Sequence, residues 1–163
     1  MDALTRTYLW EQFGGAIDML DDALTLCPDS LWTAHLWDDE EDQRYGDYWF
    51  IAYHASRWLD VYVSGSASAG DCPLPEPFVT GLPTEPYARD SVRAYLQATR
   101  EKVQSAMGSL TAERVHSPAT WGAPYLRLQL MSMRHTQEHA SQLTFFLGQN
   151  GVTGMDWVAE ARD

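Results

Sequence analysis

His135 and His139 stand four residues apart in MRHTQEHASQL, and a third histidine, His54, interrupts the apolar run YWFIAYHASRWLDVYV. Imidazole is the commonest metal-ligating side chain near neutral pH. A helix turns about 100° per residue, so positions i and i+4 share a face and two such rings can converge on one ion. Steps of three or four through the later segment give Leu128, Met131, His135, His139, Leu143 and Phe146, an apolar stripe broken only by the imidazoles. The same steps through the earlier segment give Phe50, His54, Trp58 and Val61. Both patterns point the histidines toward a core. Alone, His54 reads as an ordinary buried histidine satisfied by a carbonyl or a carboxylate. A neighbouring pair on an apolar stripe reads differently, because two imidazoles are costly to bury without a cation or an acid between them. The other two, His35 and His116, fall in polar, loop-like sequence and are expected to face solvent.

Three neutral imidazoles suit Zn(II), Ni(II), Fe(II), Co(II) or Cu(II), and the absence of a thiolate from the motif argues against a closed structural zinc site. A fourth position would stay open for water or a substrate heteroatom, whose pKa the cation lowers toward neutrality to make a nucleophile. The string from His135 to His139 also matches HxxEH, the inverted zinc-protease signature with Glu138 as base. Such proteases need an acidic ligand from a distant downstream helix. Only 24 residues follow His139, with Asp156, Glu160 and Asp163 the acids among them, so that reading is set aside. Helical geometry nominates three neighbours as substrate-binding candidates. Arg57, one turn beyond His54, would meet an anionic group or pair with an acid of the chain. Gln142, one turn beyond His139, would orient a bound water or solvate a helix edge. Trp58 reads mainly as core.

The elements that must position these residues are helical. Leu9, Phe13, Ile17, Leu20 and Leu24 mark a first helix over residues 3–26, stopped by Cys27, Pro28 and Asp29. The acidic run from Asp38 to Asp42 reads as a solvated loop or a negative first turn. A second helix is predicted over about 45–63. Residues 64–86, rich in Gly, Ser and Pro but holding Phe78, Val79 and Leu82, read as a long crossover. Val92, Leu96, Thr99, Val103 and Met107 mark a third helix over 87–108. The fourth opens at Pro124 and closes at Asn150 and Gly151. In the tail, Trp157 is expected to pack back on the body. Four amphipathic helices and no strand imply an all-α, four-helix bundle whose second and third helices run parallel across the crossover.

The 163 residues suit one domain, 1–163, with an adequate core, and seven Trp and eight Tyr among 45% hydrophobic residues argue for a packed globule. A net charge of −12 leaves no basic patch, which argues against nucleic acid and anionic membrane as partners. Cys27 and Cys72 form no metal or disulfide framework and read as free thiols. The first residues lack the pattern of a secretory leader, no apolar stretch is long enough to span a bilayer, and a cytoplasmic location is expected.

The chain resembles the DinB-like superfamily, which includes the YfiT-like metal-dependent hydrolases. The resemblance rests on YWFIAYHASRWLDVYVSG (48–65), PYARDSVRAYLQATREKV (86–103) and RHTQEHASQLTFFLGQNG (134–151), and spans about Tyr45 to Gly151. The histidine triad of that superfamily falls on His54, His135 and His139. The resemblance implies a four-helix bundle, a divalent cation (zinc, nickel or iron), a homodimer and a bacterial cytoplasm. It also implies a thiol-dependent transferase or hydrolase activity in which mycothiol, bacillithiol or glutathione serves as a low-molecular-weight thiol cofactor. Two functions follow. One is a metal-dependent enzyme acting on a small-molecule substrate, which predicts a pocket above the triad. The other is a noncatalytic, stress-associated metal-binding dimer, which predicts a site sealed by aromatic side chains.

Overall fold

The computed structural model describes all 163 residues. It is all-helical, with six helices in chain order: α1 (Ala3–Leu26), α2 (Asp29–Trp32), α3 (Tyr48–Ser64), α4 (Arg89–Gly108), α5 (Ala112–His116) and α6 (Tyr125–Gln149). No strand forms, and only two isolated bridges occur, His35 with Asp47 and Pro118 with Pro124. No helix is long and apolar enough to cross a membrane.

The boundaries follow local chemistry. The Asp2 side chain accepts the Thr5 amide at 2.9 Å and so caps α1, which ends at Cys27 because Pro28 has no amide to continue it. α3 begins at Tyr48, three residues later than periodicity suggests. The residues before it, Gln43–Gly46, form a 3-10 turn whose Arg44 amide is accepted by Asp42. Pro124 precedes the first residue of α6 rather than opening it. At the other end Asn150 caps and Gly151 takes the expected left-handed conformation, φ 78°.

α1 packs against α4 and α6, and α3 packs against the same two helices. Asp18 pairs with Arg100 and Asp21 with Arg93, so α1 and α4 run antiparallel. Along α3, Tyr53 meets Tyr87 just ahead of α4, while Asp60 reaches Tyr95 and Lys102 within it. α3 and α4 therefore run the same way, and the segment 65–88 must travel the length of the molecule between them. Ile17, Leu20, Leu59, Leu96, Leu128 and Leu143 are fully buried in the shared core, each contributing roughly 1.5–3 kcal/mol of transfer free energy.

The crossover is held by Phe78, whose ring packs on Tyr53, Tyr87 and Tyr95, while Val79 and Leu82 stay exposed. Beneath it lies Asp60, only 1% exposed. Its carboxylate accepts from Tyr95 Oη at 2.8 Å and Lys102 Nζ at 2.7 Å, with Arg57 at 4.0 Å. The tail departs from expectation. Trp157 points into solvent at 74% exposure, and its neighbour Val158 is buried instead. An extended chain alternates its side chains, so seating Val158 turns Trp157 outward. The Ala161 amide donates to the Glu11 carbonyl at 2.8 Å. Gly14 makes this approach possible, since a Cβ there would lie 2.4 Å from that of Ala161.

Candidate metal centre

α3 and α6 carry the three histidines to one point. His54 Nε2 lies 3.2 Å from His135 Nε2, which lies 3.0 Å from His139 Nε2, and the three potential ligand atoms all fall within 4.8 Å of one another. Two nitrogens bound about 2.0–2.1 Å from one tetrahedral ion sit about 3.3 Å apart. The spacing of both close pairs thus fits ligands of a common cation.

The protons of the cluster point the same way. Gln142 Oε1 lies 2.8 Å from His139 Nδ1, and an amide oxygen only accepts, so Nδ1 carries the proton and Nε2 turns its lone pair to the centre. His135 Nε2 then makes two short contacts with one atom. With a proton it serves His139 but presents its only N–H to two neighbours; without one it sets lone pair against lone pair at 3.0 Å. His135 Nδ1 is buried without a protein partner, so the ring gains no compensation on its far side. A cation accepting all three lone pairs removes the conflict, and the three residues could hold a metal ion.

Burial lowers all three pKa values. Desolvation, followed by the neighbouring imidazoles, pushes His54 down to about 3. Desolvation and then His139 push His135 down to about 4. His139 is also lowered by burial, against the upward pull of Gln142 and Glu138. Unfolded histidine titrates near 6.5, so between about pH 6.5 and 4 the unfolded chain binds more protons than the folded one. The sign follows from linkage. The metal-free protein is expected to hold its full stability above pH 6.5 and to lose it progressively as pH falls toward 4, read as a falling urea midpoint. A flat midpoint across that window would show that the imidazoles are solvated.

Two cavities meet His54. One, of about 500 Å³, reaches both His54 and His139 and is bounded by Tyr45, Phe50 and the acidic run Asp38–Glu41. The other, of about 300 Å³, lies on the far side of Tyr45 and Phe50 beneath the crossover, with Arg57 and Trp58 in its wall. The acidic run reads in the sequence as a solvated loop, and its place over the triad is the main feature that the sequence conceals. Its position comes from pairing across the loop. The Leu36 amide donates to the Gly46 carbonyl at 2.7 Å, the Tyr48 amide to the Ala34 carbonyl at 2.9 Å, and exposed His35 bridges Asp47 and Asp38. Gly46 permits the approach, since a Cβ would lie 1.8 Å from the Trp37 carbonyl oxygen. Gly46 is the only linear hint of this closure.

The remaining candidates divide. Gln142 contacts His139 directly and fixes its tautomer. Arg57 donates from Nη2 to the carbonyls of Ala69 and Cys72, at 2.6 and 2.8 Å, so most of its hydrogen bonding anchors the crossover. Trp58 is half-buried rather than core, stacked on Tyr62 beside His54. Met131, expected on the buried stripe, is exposed, because α6 buries Leu128 and Ser132 on either side of it. His116 is exposed, and both cysteines are free and buried.

No protein-family model, curated protein or solved structure matches the chain. The geometry of the three histidines therefore carries the functional argument.

Gln142→Leu removes the acceptor that orients His139 while leaving all three imidazoles in place. Loss of such a supporting hydrogen bond lowers metal affinity by about 10–100-fold, measurable by competition with a chromophoric chelator. An unchanged affinity would show that His139 needs no orientation.

Proposed function

We propose that this chain is a DinB-like four-helix-bundle enzyme in which His54, His135 and His139 hold a divalent cation next to a small-molecule site. The observation that carries this reading is the cavity of about 500 Å³ that opens onto His54 and His139, the volume of a typical small-ligand site. A cation bound there would lower the pKa of a low-molecular-weight thiol or a water toward neutrality and so supply a nucleophile. The chain's own residues set the rest of the chemistry. Gln142 holds the His139 ring, Tyr45 and Phe50 form an apolar wall, and Asp38, Asp39, Glu40 and Glu41 line the mouth. Those carboxylates favour neutral or cationic substrates over anions, because like charge raises the cost of entry.

The second reading is a noncatalytic metal-stabilised bundle, acting as a dimer. The aromatic rings of Phe50, Trp58 and Tyr62 packed around His54 and His135 favour it. A thermal-shift screen of the metal-loaded protein against cysteine, glutathione, mycothiol and bacillithiol separates the two, followed by turnover of a chromogenic electrophile with any thiol that binds. The enzyme reading expects stabilisation by at least one thiol and turnover that disappears in His139→Ala. Metal bound with no response to any thiol and no hydrolysis of small esters or amides would favour the noncatalytic bundle.

A further inference from the structure

The cavity that opens onto His54 and His139 has aromatic rings in its wall, from Trp37, Tyr45 and Phe50. The ring of Tyr45 stands edge-on to Phe50, with centroids 5.3 Å apart and planes at 78°, and edge-on to His54 at 6.2 Å and 90°. Trp37 belongs to the facing limb of the loop, which the Leu36 amide and the Gly46 carbonyl close at 2.7 Å, and its ring is 37% exposed. An aliphatic wall is indifferent to the charge of a ligand. An aromatic wall is not, because the faces of its rings carry partial negative charge and attract cations.

The polar groups of the cavity have the same preference. No Lys or Arg lines it, and of the four acids at its mouth only Asp38 has a basic partner, exposed His35. Asp39 accepts the Glu41 and Asp42 amides at 3.0 and 3.2 Å, which fixes the run in place and leaves its charge uncancelled. Arg44, the nearest arginine in the chain, is spent on Asp42 and on the Pro83 carbonyl. No ion pair includes Asp39, Glu40 or Glu41. The carboxylates lie at the mouth and the histidines at the floor. Neutral imidazoles would not cancel the charge of a bound divalent ion, so a positive group is favoured at the mouth and disfavoured at the floor.

We propose that the substrate of this cavity is an alkylammonium compound. Its positive head rests among the Trp37 and Tyr45 rings and the carboxylates of Asp39, Glu40 and Glu41, and its uncharged end faces His54 and His139. The inference rests on the proposed function only in taking this cavity as the substrate site. Recognition of the head requires neither bound metal nor a thiol.

Three probes of one shape and different charge test it: choline, 3,3-dimethylbutan-1-ol and 3,3-dimethylbutanoate, each titrated calorimetrically into the full chain with metal and after chelation. Choline is expected to bind about tenfold more tightly than the neutral alcohol, the scale of a partly desolvated cation beside aromatic rings, and more weakly as salt is added. The anion should bind most weakly. Tyr45→Leu and Trp37→Leu, which keep the wall apolar, should each reduce the preference for choline over the alcohol several-fold and leave the alcohol's affinity unchanged. Glu40→Gln with Glu41→Gln should weaken choline several-fold; both side chains are exposed and unpaired, so the melting curve should not move. Failure of choline to bind, equal affinities for choline and the alcohol, or a preference that survives all of these variants would overturn the proposal. Metal content and the thiol screen report on the proposed function separately: a cavity that selects choline without holding metal would retain this inference and remove that one, and metal with thiol-dependent turnover but no selection for the cation would do the reverse.

Discussion

Protein purified from zinc- or nickel-supplemented growth is expected to carry close to one divalent ion per chain, and His54→Ala, His135→Ala and His139→Ala each to lose it. The effect should be large because the ion relieves a conflict already built into the fold. Three desolvated imidazoles converge with Nε2 separations of 3.0 and 3.2 Å, and His135 Nδ1 has no partner. A ligand that binds only the native state stabilises it by about 4 kcal/mol at a thousandfold excess over its dissociation constant. For a chain of this size that corresponds to a rise in Tm on the order of 10 °C. Elemental analysis after dialysis reads occupancy, and calorimetry with and without chelator reads the shift. Each single variant should remain folded and melt at the same temperature with or without metal. Stoichiometric metal in His54→Ala and His139→Ala alike would remove the triad as the site.

Asp60→Ala is expected to destabilise the protein by about 3–5 kcal/mol, the usual cost of removing one member of a buried ionic network. The remaining partners explain the size. Arg57 Nη1 is buried with no hydrogen bond, and Asp60 is the only carboxylate within 4.0 Å of that guanidinium; Tyr95 Oη is buried and would lose its acceptor. Lys102→Ala should cost far less, about 1 kcal/mol at most, because the ammonium end of that pair is half exposed and the carboxylate keeps Tyr95. Urea unfolding of the two variants decides the point. Equal losses would mean that the ion pair, rather than the buried cluster joining α3, α4 and the crossover, supplies the stability.

Much of the fold and of the candidate site is legible in the residue order alone. The pairing of His135 with His139 needs only the helical repeat, and the boundaries of α1, α4 and α6 need only caps, prolines and apolar spacing, all interactions within a few residues. Gln142 follows from the same short-range geometry. The departures share one cause. Apolar character assigns Trp58, Met131 and Trp157 to the interior, yet each lies where the face a residue occupies depends on elements distant in sequence. The acidic run from Asp38 to Asp42 carries no periodic signal, and its place over the triad depends on Gly46 letting residues 34–37 close against 46–48.

Four long amphipathic helices and an inward-facing i, i+4 histidine pair follow from the residue order, because those are properties of a helix taken alone. Tertiary packing settles the rest: His54, 81 residues before His135, completes the cluster at 3.2 Å, carboxylates line its mouth, and Arg57 is committed to the crossover. Those outcomes depend on packing one helix against another, and the free energy of that packing resides in contacts between residues that the chain order keeps far apart.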